Sequence, residues 1–247
     1  MLLYENEKSP FEAVNACSRA PFIITAEHAG NRVPAALNGL GLAPDVLEKH
    51  YAYDLGAARI ARELSKRLDC FAIVGNYSRL VVDLNREISS SELFARKRFV
   101  EVPGNAEIPP ASRAQRINEL WRPYHDRIAG KIFDALAAGI VPLFISIHTM
   151  SPDLPYDLAI LYDKDVRFQN FLRDRFSYIM PGLRLGMNEP YDANAVKGTL
   201  SIHAEPYGLP CAEIEFNQAL LGNTEMLEKC IEIISVAAID FMSVGGV

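Results

Sequence analysis

Short apolar runs alternate along this chain with longer amphipathic segments. The runs, such as PFIITA and VPLFISI, have the length of strands and are apolar throughout, which is typical of strands buried on both faces of a parallel sheet. The predicted strands are residues 21–26, 70–75, 80–84, 141–147, 158–162, 183–186 and 211–216, and the predicted helices are residues 52–68, 112–138, 165–178 and 223–242. This alternation predicts an α/β fold with three layers, α/β/α, around a central mixed, mostly parallel sheet.

Two stretches interrupt the alternation. Residues 86–111 contain three prolines, and residues 188–207 are rich in Pro, Tyr, Asn and Gly. Long ordered loops in compact domains often carry part of a site, so we expect these stretches to contribute to one. Pro123 should kink or break the second predicted helix, because proline has no backbone N–H to donate there.

Composition narrows the class of protein. The chain has 247 residues, of which 49% are hydrophobic and 23% charged, and it contains no linker-like or repetitive tract, so we expect one domain over residues 1–247. The net charge of −6, and the lack of a basic cluster beyond residues 96–98, argue against nucleic acid as a partner. An anionic substrate would then be bound by one or two local cations.

The sequence also bears on location. Its first residues lack the basic segment and apolar core of a signal peptide, and no apolar stretch approaches the roughly 20 residues needed to cross a bilayer. The four cysteines are scattered without metal or redox spacing, which favours reduced, mostly buried thiols. We therefore expect a cytoplasmic protein with no membrane partner, whose oligomeric state the sequence leaves open.

Polar residues with catalytic potential follow several predicted strands. Ligands of open α/β sheets bind beyond the carboxyl ends of the strands. His28 follows the first predicted strand, His148 follows the fourth, and the last carries two glutamates at alternate positions, hence on one face. Polar groups at the ends of four predicted strands indicate a site at this edge. The other members are Glu213 and Glu215 of the last strand, and Asp83, Asn85 and Arg86 of the run RLVVDLNR.

Two histidines from different strands and a carboxylate are a common ligand set for catalytic zinc, with one position left for water. We therefore predict that His28 and His148 bind a divalent metal, with zinc as the first candidate. The third ligand is open. Asp54 is one choice, although it could instead cap the helix predicted to begin near it. Glu27 is another, but strand alternation points it away from His28.

The three remaining histidines are less informative. His50 and His125 lie in predicted helical regions without a partner motif, and we interpret both as structural. His203 lies in the irregular sequence SIHAEPYG, where it could donate to a developing oxyanion or close the pocket. An exposed loop histidine is the alternative.

Six motifs together resemble the N-formylglutamate amidohydrolase family. In chain order they are AEHAGNRVP, YDLGAARIAREL, SRLVVDLNR, ISIHTMSP, MNEPYDA and CAEIEFNQ, and they span most of the chain. SRLVVDLNR and the two histidine motifs are the specific part. A more distant similarity is to zinc carboxypeptidases and aspartoacylases, which implies a phosphorylase/hydrolase-like fold. Those enzymes have a glutamate three residues after the first histidine. Asn31 stands there in this chain, so the third ligand must come from elsewhere, with Asp54 as our choice.

The resemblance implies a role for each residue at the site. His28 and His148 correspond to metal ligands, and Glu215 corresponds to the general base that activates water. The register of IEFNQ favours Glu215 over Glu213. Further assignments concern binding of the substrate and the oxyanion: Arg86 with Asn85 as a clamp for a substrate carboxylate, Arg79 for a second carboxylate, Asp83 as support for Arg86, Tyr191 as a substrate contact and His203 as an oxyanion donor.

The implied reaction is hydrolysis of the amide of a small anionic N-acyl amino acid, with N-formyl-L-glutamate giving formate and glutamate. Another N-acyl amino acid or a peptide is an alternative substrate. A second alternative, a ligand-binding protein without activity, is suggested by Asn31. The sequence has no G-x-S-x-G, P-loop or G-x-G-x-x-G motif, which argues against a serine hydrolase and against nucleotide binding.

Overall fold

The structure is a computed structural model that describes residues 1–191 and 198–245. Numbered in chain order, its strands are β1 (Phe11–Val14), β2 (Phe22–Ala26), β3 (Phe71–Gly75), β4 (Lys97–Arg98), β5 (Val100–Glu101), β6 (Leu143–Met150), β7 (Leu158–Leu161), β8 (Leu185–Met187) and β9 (Cys211–Asn217). The α-helices are α1 (Ala57–Arg67), α2 (Pro110–Arg116), α3 (Arg122–Ala137), α4 (Arg167–Ile179) and α5 (Thr224–Ser243). Two π-helical turns occupy Ile117–Trp121 and Leu200–Ala204.

The strands form a mixed sheet with the order β1–β3–β2–β6–β9–β7–β8, and β4 pairs with β5 in a separate hairpin. The four central strands are parallel, whereas β1 and β7 run antiparallel to their inner neighbours. Alternate residues of a strand face two different cores, as Ile24 and Ile23 of β2 show. Helices α1, α4 and α5 cover one face and α3 covers the other. The predicted three-layer α/β fold is confirmed.

One predicted strand is wrong. Residues 80–84 form turns rather than a strand, although all five are buried. Side chains satisfy part of the backbone of this run: Asn105 Nδ2 donates to the Leu80 carbonyl at 2.8 Å and Arg116 Nη1 to the Val81 carbonyl at 3.2 Å. Periodicity cannot distinguish a short buried apolar run of this kind from a central strand. The residues that follow it nevertheless reach the carboxyl edge of the sheet.

The second predicted helix is interrupted as expected, whereas the first begins later than predicted. The interruption expected at Pro123 is the π-helical turn Ile117–Trp121 between α2 and α3. Helix α1 begins at Ala57, five residues later than predicted, because residues 52–56 form a turn.

Three of the cysteines are buried and Cys17 is exposed, all as free thiols. Within residues 1–191 and 198–245, no helix has both the length and the apolar character needed to cross a bilayer.

Candidate active site

Three buried side chains converge where β2 and β6 end. His28 follows β2, His148 lies in β6, and Asp54 lies in the turn before α1. Nδ1 of His148 is 2.8 Å from Oδ2 of Asp54 and 3.1 Å from Nδ1 of His28. Nδ1 of His28 is 3.5 Å from the same Asp54 oxygen. The structure thus brings together the three residues that the sequence suggested as metal ligands.

The other ring nitrogen of each histidine faces a buried carboxylate. Nε2 of His28 is 2.6 Å from Oδ1 of Asp83, and Nε2 of His148 is 3.1 Å from Oε2 of Glu27. A carboxylate only accepts hydrogen bonds, so in each neutral ring Nε2 carries the hydrogen and Nδ1 presents a lone pair. The two Nδ1 lone pairs and the Asp54 oxygen then face one another with no hydrogen between them.

This arrangement of acceptors fits a divalent cation. Atoms bound about 2.0–2.1 Å from a tetrahedral zinc lie about 3.3 Å from one another, close to the separations of 2.8, 3.1 and 3.5 Å seen here. Burial alone would lower the pKa of His148, but the charge of Glu213 and the hydrogen bonds with Asp54 and Glu27 outweigh burial and raise that pKa well above its usual value.

The alternatives for the third ligand are placed elsewhere. Asn31 donates to Glu48 at 2.9 Å on the surface. Glu27 reaches the Nε2 side of His148, away from the converging Nδ1 atoms. Asp54 does not cap α1, whose N-cap residue is Gly56 and which has no side-chain cap. Its side chain instead turns toward the histidines.

The two glutamates of β9 differ in their partners. Glu215 stands opposite His148 in the parallel pairing of β9 with β6. Glu213 accepts a hydrogen bond from Asn85 Nδ2 at 3.0 Å, whereas Oε2 of Glu215 is buried and has no hydrogen-bond partner among the described residues. Burial, together with the charges of Asp54 and Glu213, raises the pKa of Glu215 to about 8. Glu215 is therefore a carboxyl group with an oxygen left for a ligand.

The histidines, Asp54 and both glutamates lie at the wall of one cavity of about 220 Å³. The side chains that complete the lining are Arg79, Arg86, Arg98, Asn85, His50, Tyr51, Phe99, Thr149, Met150, Ser151 and Tyr191. The lining thus contains three arginines beside three carboxylates, and the arginines are the groups that could bind the carboxylate of a small ligand.

Two of the three arginines share one carboxylate. Asp83 accepts from Arg79 Nη2 at 3.0 Å and from Arg98 Nη2 at 3.4 Å, in addition to its contact with His28. Arg79 also approaches Oδ1 of Asp54 at 3.7 Å. Asp83 was expected to support Arg86. No hydrogen bond between them is found, but the charge of Arg86, after the larger effects of Arg79 and His28, helps to lower the pKa of Asp83. Asp83 also links the first histidine to two arginines. Arg98 was not predicted, because the only sequence signal was the short basic run 96–98.

Arg86 and Asn85 both line the cavity, but only Arg86 has N–H groups left to bind a ligand. Arg86 lines the cavity and donates through Nη1 to the Asn85 carbonyl at 2.8 Å, which leaves its other N–H groups for a ligand. The Asn85 amide is engaged on both sides, by Glu213 and by the Thr199 backbone N–H, which donates to Oδ1 at 2.7 Å. A Cβ on Gly198 would lie 2.2 Å from that Oδ1, so only glycine permits this contact.

The structure does not bring His203 to the cavity. His203 lies in the helical turn Leu200–Ala204, not in an irregular loop, and its Nε2 is 2.8 Å from Nδ1 of His125. His125 in turn contacts the Leu84 carbonyl at 3.0 Å. Burial lowers the pKa of His203 to about 4 and that of His125 to about 3. This placement gives no support to an oxyanion role for His203. His50, interpreted from sequence as structural, does line the cavity.

The fold and the geometry define a class: a three-layer α/β protein with a His/Asp/His cluster in a cavity at the carboxyl ends of its central strands. The family model for N-formylglutamate amidohydrolase matches residues 20–221. The chain belongs to this family, and it is an amidohydrolase acting on an amide. The resemblance seen in the sequence motifs is confirmed. Residues 192 and 193 of the motif MNEPYDA lie outside the described residues.

Solved structures share the fold. The gene product Atu2144 from Agrobacterium tumefaciens is 28% identical, with a TM-score of 0.91 and a coverage of 99% of both chains. N-formylglutamate amidohydrolase from Ralstonia eutropha is 16% identical, with a TM-score of 0.66, and the match covers 96% of this chain and 98% of that one. No curated protein matches the chain at a significant level.

Proposed function

We propose that this amidohydrolase is metal-dependent and cleaves the amide bond of a small N-acyl amino acid, with N-formyl-L-glutamate as the expected substrate. One observation carries the proposal. Two imidazole lone pairs and a carboxylate oxygen converge within 3.5 Å of one another, beside a glutamate with an unpartnered oxygen. The family and the arginines in the cavity lining support the choice of an anionic amide.

His28, His148 and Asp54 would hold the cation. A divalent metal such as zinc, when bound there, supplies positive charge that polarises a carbonyl and acidifies water. The residues behind the ligands prepare them for this. Asp83 and Glu27 hold the two rings with Nδ1 directed inward, and such partners fix the tautomer and increase the basicity of a ligand.

Glu215 would transfer the proton. Its free carboxylate oxygen takes a proton from the attacking water, the water oxygen bonds to the acyl carbon, and the carbon–nitrogen bond then breaks. Glu215 returns the proton to the leaving nitrogen, so that a carboxylic acid and an amine are released. Its pKa of about 8 in the metal-free protein must fall for it to act as a base at neutral pH, and an added positive charge nearby has that effect.

The arginines would position the substrate. Arg86 and Arg98 both line the cavity, and a guanidinium can bind a carboxylate through two parallel N–H groups. Arg79 is held by Asp83 and Asp54, so we assign it to the support of the site and to its positive potential. Tyr191 lines the same cavity and contributes to its rim. The preferred substrate would therefore carry at least one carboxylate.

Glu215→Gln and Asp54→Ala separate the two proposed roles. Glu215→Gln should retain metal but lose at least about 100-fold in kcat for formate release from N-formyl-L-glutamate, because general-base catalysis contributes about that much. Asp54→Ala should lose metal and activity together. Glu232→Gln, at an exposed position of α5, is a matched control for the first variant and should retain full activity. Full turnover in Glu215→Gln would contradict the assignment.

A further inference from the structure

The β4–β5 hairpin places an exposed aromatic ring at the cavity. Phe99 forms the turn between the two strands and is 78% exposed, yet it lines the same cavity as the histidine cluster. Its φ of 59° lies in the left-handed region, which is unfavourable for a bulky residue. Glycine or asparagine would form such a turn with less strain. The conformation of the turn therefore does not explain why phenylalanine stands there.

Two further rings pack against Phe99. Tyr51 is stacked on it, with ring centroids 5.7 Å apart and planes at 27°. His50 meets it edge to face at 5.3 Å and contacts Tyr51 in the same way at 5.4 Å. All three rings line the cavity. They come from two distant segments of the chain, and together they form an aromatic wall at its mouth.

A cationic group lies beside this wall. Arg98 precedes Phe99 in the hairpin, and its guanidinium reaches inward to within 3.4 Å of Asp83. Arg98 thus presents a positive charge to the interior of the cavity, and the next residue, Phe99, presents an apolar ring at its mouth. A ligand that matches both would have a carboxylate and a planar apolar group close together.

We propose that His50, Tyr51 and Phe99 form a subsite for an aromatic side chain of the substrate. The site would then also accept N-acyl amino acids whose side chain carries an aromatic ring, in place of the second carboxylate of N-formyl-L-glutamate. Aromatic groups stack favourably on such walls at separations of about 4.5–7 Å between ring centroids. This inference rests on the proposed amidohydrolase function and extends its substrate range.

Phe99→Ala tests the subsite, with N-formyl-L-phenylalanine and N-formyl-L-glutamate as probes. The variant should raise KM for the phenylalanine compound by about 5- to 10-fold, the effect expected for one lost aromatic pair, with kcat little changed. KM for the glutamate compound should change by less than about 2-fold. Phe99→Tyr should retain the wild-type values. Phe133→Ala removes another exposed ring, 71% exposed on α3, and serves as the matched control.

The wild-type protein should hydrolyse both the phenylalanine and the glutamate compound. Equal effects of Phe99→Ala on both probes, or none on either, would overturn the subsite. If neither probe is hydrolysed by any form, the proposed function fails instead, and calorimetric binding of both probes decides the subsite. Weaker binding of only N-formyl-L-phenylalanine to Phe99→Ala would then support it, and unchanged binding of both would overturn it.

Discussion

Glu27 offers a sharp test of how the site is held. The carboxylate is buried, and its Oε2 contacts Nε2 of His148 at 3.1 Å and accepts from Ser146 Oγ at 2.8 Å. Burial alone would raise its pKa, but the hydrogen bond and charge of His148, with the Ser146 hydroxyl, lower that pKa to about 2. Glu27 is therefore ionised at neutral pH. Glu27→Gln keeps the shape and one acceptor oxygen while removing the charge.

The size of the effect follows from this geometry. A carboxylate behind a ligating imidazole makes the ring more basic and fixes its tautomer, and its loss costs about 10- to 100-fold in metal affinity. That range corresponds to about 1.4–2.7 kcal/mol. The lower part of the range applies if the glutamine oxygen keeps both hydrogen bonds, since only the charge is then lost.

Chelator competition with zinc measures the affinity directly, and the absorbance of a cobalt-substituted protein reports on the ligand geometry. We expect the Kd of Glu27→Gln for zinc to be about 10- to 100-fold higher than that of the wild type, because the carboxylate that supports the His148 ligand is lost. Glu12→Gln is the matched control, because Glu12 is half-exposed and pairs with Arg62 at the surface at 2.7 Å. If folded Glu27→Gln bound zinc within about 2-fold of the wild-type affinity, the proposed support of His148 by Glu27 would be refuted, because losing a carboxylate that supports a metal ligand should change the affinity by more than that.

Two further predictions concern residues that pack behind Leu84 and Asn85. In the folded protein the pKa values of His125 and His203 are about 3 and about 4, below the ordinary value of about 6.5, so between about pH 3 and pH 6.5 the unfolded chain binds more protons than the folded protein. The free energy of unfolding should therefore fall as the pH drops through this range, and His203→Gln should reduce the slope of that free energy against pH, measured by urea titration, by up to about 1.4 kcal/mol per pH unit. A slope unchanged by His203→Gln would contradict the burial of the neutral pair. Gly198→Ala would place a Cβ 2.2 Å from Asn85 Oδ1 and should destabilise the protein by about 1–3 kcal/mol and lower turnover. Gly130→Ala, which has open space around its Cβ, should be neutral or stabilising in thermal unfolding, and equal effects of the two would contradict the steric reason.

Most residues of the site could be predicted from the sequence because they lie at the ends of buried apolar strands. β2 and β6 are apolar runs with clear ends, so His28 and His148 could be placed at one edge without coordinates. Spacing could not choose between Asp54 as a ligand and as a helix cap. That choice depended on where α1 begins, and helix starts are poorly defined by sequence.

Other features depended on contacts between segments. Strand alternation correctly turned Glu27 away from His28, but it did not show that β6 would bring His148 and Ser146 against Glu27. The β4–β5 hairpin has strands of two residues each, too short for a periodic signal, so Arg98 and Phe99 were missed. His203 appeared catalytic because the sequence around it looks irregular, whereas its helical turn directs it toward His125.

The most direct test of metal dependence combines metal content with turnover in one preparation. The purified protein is assayed for formate release from N-formyl-L-glutamate and N-formyl-L-phenylalanine, stripped with chelator, and reconstituted with zinc, cobalt or manganese, with elemental analysis at each stage. The account predicts about one metal per chain, since one His/Asp/His cluster is found in the described residues, with activity lost on stripping and restored on reconstitution. Turnover that persists in fully metal-free protein would contradict it.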